Sequence, residues 1–203
     1  NKTTNSNETT QAGMDSSSFS YDREMLSAYV NYGHKFDKIT MQLGARFEQY
    51  DVDAEFSSNG STIPYTSNIF SIYPSAFFTF SPSDKNQYQV SYSRRVDRPS
   101  IGQVNPIREW STPLVTSVGN PELLPQFTNS FEINYTRQIK GGSITLGTFF
   151  RSVNDEISTI LYADPDDATG TKQIKSDKNF EGNNRYGFEA SSNYRITKWW
   201  TTN

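Results

Sequence analysis

The feature that most limits what this chain can fold into is the length over which apolar and polar residues alternate. In Ile39-Thr40-Met41-Gln42-Leu43-Gly44-Ala45-Arg46-Phe47-Glu48 every odd position is apolar and every even one is polar or glycine. A period of two sends successive side chains to opposite faces of an extended strand, so this stretch has one apolar and one polar face. The same alternation carries Leu26, Ala28, Val30 and Tyr32; Tyr88, Val90 and Tyr92; Phe131, Ile133 and Tyr135; Ile144, Leu146 and, less cleanly, Phe150; and Tyr186, Phe188 and Ala190. Segment 69–80 is apolar on both faces in part and holds Pro74, which weakens its claim to a central strand. The pattern gives about seven strands and the start of an eighth, near 19–32, 39–54, 69–80, 87–95, 127–139, 143–160, 172–192 and from Trp199.

The connections alternate in length. Segments 33–38, 81–86, 140–142 and 196–198 are short, whereas 55–68, 96–126 and 161–171 are long. Tight turns at one end and large loops at the other are the asymmetry of a transmembrane β-barrel. Strand length agrees, because soluble strands cluster near about 5–6 residues and a tilted crossing of a bilayer takes about 9–11. Tyr32, Phe36, Phe47, Tyr50, Tyr73, Phe80, Trp199 and Trp200 fall near strand ends, where an interfacial girdle places aromatics. Residues 1–18 are largely Asn, Thr and Ser and read as a polar loop or frayed end; residues 19–203 read as the barrel portion.

Composition fits this reading. Apolar residues are 33% of the chain and aromatics 14%, and the mean hydropathy is -0.72. Barrel strands bury only alternate residues in lipid, so low hydropathy is compatible with crossing a membrane even though no run of apolar residues is long enough for a spanning helix. A net charge of -3 argues against nucleic acid as a partner, and the absence of cysteine removes thiolate metal sites and cysteine nucleophiles.

Beyond the alternation, VGNPELLPQFTNSFEINY at 118–135 resembles a signature found late in the barrel of TonB-dependent outer-membrane receptors: Gly-Asn-Pro, Leu-x-Pro, then Ser-x-Glu-x-x-Tyr. YPSAFFTFSPSDKNQYQVSYSRRVDRPSIGQVNP resembles the preceding hairpin in Bacteroidetes-type members, and MLSAYVNYGHKFDKITMQLGARFEQ the hairpin before that. The resemblance covers 19 to about 192 and implies about seven to eight strands of a larger antiparallel barrel of about 22 strands. It further implies a bacterial outer membrane location and energised uptake of a nutrient ligand such as a siderophore, glycan or peptide. Its partners would be outer-membrane lipid and lipopolysaccharide, a plug domain and the TonB complex in the full-length parent, with a surface lipoprotein as a further candidate. The chain then looks like an internal third of a barrel. A passive or structural outer-membrane barrel and a soluble β-rich carbohydrate-binding module remain as alternatives.

Nothing in the motifs argues for an enzyme, a cofactor or a resident metal. Gly119-Asn120-Pro121 and Leu124-Pro125 suit turns where a long loop descends, and Gly141-Gly142 suits a tight turn. Arg46, Glu48, Glu132 and Glu189 occupy polar alternate positions and are expected to face the lumen. The loop 96–126 is expected to lack regular structure and to carry ligand contacts through Arg98, Arg108, Glu109 and Trp110, a set able to stack on a ring and pair with a charge. Arg94, Arg95 and Arg98 form a basic run that suits lipid phosphate, a plug carboxylate, an anionic ligand or plain solvation. Asp164, Asp166 and Asp167 supply oxygen atoms suited to calcium, but their spacing fits a polar turn better. The isolated His34 supports neither a catalytic triad nor a metal site.

Overall fold

The structure is a computed structural model that describes residues 3–9, 17–197, 199, 201 and 202. In chain order the strands are β1 (Thr3–Thr9), β2 (Ser17–Phe36), β3 (Ile39–Ser58), β4 (Ser61–Ser83) and β5 (Asn86–Asp97). A helical turn α1 (Ile101–Val104) follows, then β6 (Glu109–Thr112), β7 (Val115–Ser117), β8 (Gln126–Ile139), β9 (Gly142–Asn154), β10 (Glu156–Ala163), β11 (Gln173–Phe180), β12 (Asn183–Arg195) and β13 (Thr201–Thr202). Nine of them form one sheet in the order β1-β2-β3-β4-β5-β8-β9-β12-β13, and four form a second, β10-β11-β7-β6.

Every pairing in the nine-stranded sheet is antiparallel, and its register sorts the alternating residues onto two faces. One hydrogen-bonded row runs His34, Met41, Phe78, Val90, Ile133, Thr148, Phe188; the adjacent row, on the other face, runs Gly33, Gln42, Phe77, Ser91, Glu132, Phe149, Gly187. Met41, Leu43, Val90, Tyr135 and Leu146 therefore share one face, and Gln42, Gly44, Ser91 and Thr145 share the other. Among the described residues no element packs on the apolar face. Ile133, in the middle of the sheet, is 54% exposed, and Leu26 is 74% exposed. A soluble sheet with such a face would aggregate; a barrel wall gives it to lipid.

The apolar face also shows strand tilt. The row through Leu43 passes Ala76, Tyr92 and Phe131 to reach Phe150, beyond which β9 turns polar at Ser152 and Asn154. On β3 the apolar run continues four residues further, to Phe47. A slip of about four residues is about 13 Å along the strand, and across four strand spacings of about 4.8 Å it corresponds to a tilt of roughly 35°. Barrel strands tilt by about 35–45°.

Several strands run far beyond any bilayer. β3 is 20 residues long, about twice what a crossing needs. On its apolar-side positions Ile39 to Phe47 give way to Gln49, Asp51, Asp53 and Glu55, so its second half stands in water. Segment 55–68, expected as a long loop, is instead a continuation of β3 and β4 closed by a two-residue turn. Asn59 and Gly60 there have φ of 52° and 77°, the left-handed pair that an Asn-Gly hairpin turn requires. Pro64 and Pro74 lie within β4. Both sit above Ser75, where pairing with β5 begins, so that stretch has only β3 as a neighbour and a missing N–H on its open side leaves no gap in the sheet.

Four further expectations change. Residues 3–9, within the segment read as loop or frayed end, form β1 paired with 17–23; residues 1, 2 and 10–16 lie outside the described residues. The expected strand 143–160 breaks at Asp155, whose φ is 54°, and 172–192 breaks at Gly182, whose φ is 106°. The first break takes the chain from the large sheet into the small one, and the second returns it. The connection 96–126 is not irregular, since it contains α1, β6 and β7, and one of its pairings, β7 with β11, is parallel.

Candidate functional site

Two long connections, 98–125 and 155–182, rise from the same end of the wall and fold on each other. Their strands make the four-stranded sheet, and the stitching is specific. Val118 N–H donates to Lys175 O at 2.9 Å and Gln173 N–H to Leu114 O at 2.8 Å. Asn179 holds the base of the assembly: its Oδ1 accepts from Leu124 N at 2.8 Å while its Nδ2 donates to Leu124 O at 2.9 Å and Asp155 O at 2.8 Å. Asn120, from the Gly-Asn-Pro motif, donates to Asp177 O at 3.2 Å. Gly119 lies so close to the α1 turn that a Cβ there would meet Asn105 O at 2.4 Å and Asn105 N at 2.6 Å. The motif is thus scaffold for the cap, and only glycine fits at that approach.

This cap has what the wall lacks, a dry core. Val104 and Leu123 from the first connection pack with Phe19, Tyr21 and Ala54 from the projecting ends of β2 and β3. Those three residues alternate in register with the polar face, so the cap leans over that face, the lumen side in a barrel.

Of the residues expected to meet a ligand, two are already engaged. Arg108 bridges the two connections, donating from Nη1 to Asp164 Oδ2 at 3.1 Å, from Nη2 to Asp164 Oδ1 at 3.2 Å and from Nη2 to Asp166 Oδ2 at 2.9 Å. Asp164 is buried beneath it. Arg98 turns down onto the wall, where it pairs with Glu48, lies over the Tyr50 ring at 4.7 Å and donates to Tyr73 Oη at 3.4 Å. Glu109 and Trp110 are on β6 with every residue of that strand exposed, and Trp110 is 75% exposed. Both face solvent on the cap.

Arg46, Glu48, Glu132 and Glu189 all register on the polar face. They form two groups. Glu132 accepts from Arg151 at 3.3 Å, and Glu189 lies near it around a small cavity of about 60 Å³ shared with Asn134 and Gly147. Glu48 is 2% exposed and is shared by two guanidiniums, Arg46 at 2.6 Å and Arg98. Burial, then the nearby Arg46 and Arg23, lower the pKa of Arg98. Tyr21 and Tyr50 bond through their hydroxyls at 3.2 Å beside this group, and burial followed by that bond raises the Tyr21 phenol. Arg23 and Tyr21 were not anticipated from sequence, and Tyr50 and Tyr73, expected in an interfacial girdle, lie instead on the polar face. Their shared parity with Arg46 was the available signal, but the partner Arg98 comes from a separate loop.

The basic run divides three ways. Arg94 lies on the apolar face over the Phe127 ring at 4.8 Å, Arg95 registers on the polar face, and Arg98 joins Glu48. The three aspartates form a turn. Asp164 and Asp166 take Arg108, and Asp167 accepts from Thr169, Thr171 and Lys172, which fills its carboxylate and holds its pKa well below the usual carboxylate range, chiefly through the Lys172 N–H. Among the described residues no group of three acids or histidines is placed to hold a metal.

With this geometry in view, residues 1–203 match the family model described as the outer membrane protein beta-barrel family. No curated protein sequence matches the chain. Among solved structures it is similar to the Serratia marcescens hemophore receptor HasR, in complex with its hemophore HasA and heme, with a TM-score of 0.70, 13% identity, 96% of this chain and 39% of that one covered. It is similar to the siderophore receptor PirA of Pseudomonas aeruginosa, with a TM-score of 0.58, 14% identity and coverage of 93% and 42%. It is also similar to the ferric yersiniabactin uptake receptor FyuA of Yersinia pestis, with a TM-score of 0.55, 14% identity and coverage of 92% and 26%. The chain thus spans well under half the length of these structures, and at such identity the likeness is one of fold.

Proposed function

The chain belongs to the outer membrane protein beta-barrel family, and from that premise we propose that it supplies part of the wall and part of the extracellular cap of a TonB-dependent receptor that takes up a nutrient ligand across the bacterial outer membrane. The observation that carries this reading is the cap: two long connections folded into a sheet with its own core and leaning over the polar face of the wall. A structured cover over the lumen suits a gated receptor, which presents a surface for its ligand there. The sequence signature around Gly119-Asn120-Pro121 supports the same class. So does the likeness to receptors whose named ligands are a hemophore with heme and siderophores. In the parent protein the wall belongs to a barrel of about 22 strands whose lumen holds a plug, with Arg46, Glu48, Glu132 and Glu189 facing it. The ligand is a scarce nutrient of the siderophore, glycan or peptide kind, and no reaction is catalysed.

The test is energy dependence. In cells expressing the full-length parent, uptake of the ligand should stop when tonB is deleted or a protonophore is added, while surface binding persists. Uptake that continues unchanged would make the protein a passive barrel. Replacing 107–117 by a Gly/Ser segment should lower ligand affinity by about tenfold or more at normal surface expression, the scale of losing one or two contact residues; unchanged affinity would leave the cap without a ligand role.

A further inference from the structure

The cluster on the polar face at the upper end of the wall has more positive than negative charge. Arg46 and Arg98 share a single carboxylate, Glu48, which is 2% exposed. Arg23 lies within electrostatic reach of Arg98 and adds a third guanidinium. The acids nearest in sequence do not relieve this. Asp51 and Asp53 register on the opposite face, and Asp97 accepts from Gln126 at 3.3 Å. A buried carboxylate flanked by two arginines is neutralised once; the second positive charge is left over, in a setting where desolvation makes it costly. The Arg46 side chain is 47% exposed, so this part of the receptor leaves its outer edge uncovered. Its cross-strand neighbours are Tyr29 and Tyr73. Tyr29 is 79% exposed.

Resting on the receptor reading above, we propose that this Arg46–Glu48–Arg98 cluster is a binding site for an anionic group, a carboxylate or phosphate on a small solute. Such a group would take the free edge of Arg46, while the organic remainder lies against Tyr29. Arginine presents paired N–H donors that match a carboxylate or phosphate, and a flat aromatic surface suits the attached carbon skeleton. Glu48 then has two roles: it holds Arg46 and Arg98 in place, and it competes with the incoming anion for them.

That double role gives the test its sign. In the purified full-length receptor, equilibrium dialysis with citrate and with inorganic phosphate measures the site without any energised uptake, so failure here and failure of the receptor reading are separate results. Saturable citrate or phosphate binding is expected, with none of the cation spermidine. Arg46→Gln should weaken anion binding about tenfold or more, the loss of a charge-assisted pair. Glu48→Gln should tighten it by removing the competitor, whereas a merely structural disturbance would weaken it; if that variant does not fold, Arg46→Gln decides alone. Absence of saturable anion binding, or binding that Arg46→Gln leaves unchanged, would overturn the proposal. So would efficient cross-linking of a cysteine at position 46 to the plug domain, which would assign the cluster to plug contact.

Discussion

Strand β3 changes character halfway along its length. Up to Phe47 its odd side chains are apolar and uncovered, and what holds the strand is a ladder of hydrogen bonds to β2 and β4 together with lipid on one face. Past Phe47 the odd positions turn polar, with Asp51, Asp53 and Glu55 among them, the even positions Tyr50 and Ala54 become buried, and the cap packs on them. The lower half is stabilised by its solvent and the upper half by its own core. One strand therefore obeys two sets of rules, and substitutions should separate them.

The largest effect is expected in the lower half. Leu43→Arg places a charge on the lipid face and should cost about 2–4 kcal/mol near the midplane, read as a shift in urea unfolding of the full-length receptor in lipid vesicles. Gln42→Arg, one residue away on the polar face, should be nearly neutral. In the cap, Gly119→Ala sets a Cβ against Asn105 backbone atoms and should cost about 1–3 kcal/mol by overpacking. Because that loss falls on the cap alone, limited proteolysis should cut within 98–125 while the barrel stays intact. Equal loss of both parts would mean that the two halves are not independent.

How far these rules were legible in sequence follows from the same division. In the lower half, lipid on one face forces strict alternation, so Ile39 to Phe47 reads plainly as a strand whose odd and even residues divide between two faces. Above it, water on both sides removes that constraint. The Ser and Thr residues of 55–68 look like a loop although Asn59-Gly60 already marks a hairpin turn. The cap depends on pairings between connections far apart in sequence, such as Arg108 with Asp164 and Arg98 with Glu48. No local period encodes those. Residues 143–160 lose strict alternation at Phe149-Phe150 but hold no Gly or Pro between 148 and 160 to mark an end, and the left-handed backbone of Asp155 shows where the chain leaves one sheet for another. Arg108 was expected to be free for ligand because its composition suits binding, but a buried acid in the other connection claims it first.

Smaller effects test the cap in finer detail. Arg108→Ala removes the bridge to Asp164 and Asp166; with Arg108 half exposed the bridge contributes about 1 kcal/mol. The readout is faster amide hydrogen exchange in β6 and β11 with no change in β3. Smallest is the acid response of the 164–172 turn. Asp167 has a depressed pKa in the folded state, set by hydrogen bonds from Lys172, Thr169 and Thr171. Its contribution is present above the ordinary carboxylate value and is lost only as pH falls through the depressed one. Exchange protection at the Thr171 and Lys172 amides should therefore persist to well below about pH 4. Loss of protection near pH 4 would show that these bonds do not hold the turn.

The central claim is that the apolar face of the wall meets lipid and the polar face, under the cap, meets the lumen. Site-directed spin labels placed singly at positions 39 to 47 of the full-length receptor in a bilayer test it directly, through collision with oxygen, which concentrates in lipid, and with a water-soluble nickel chelate. Oxygen accessibility should peak at 39, 41, 43, 45 and 47 and fall at the even positions, with a period of two. The inverse phase, or equal accessibility at odd and even positions, would contradict the account.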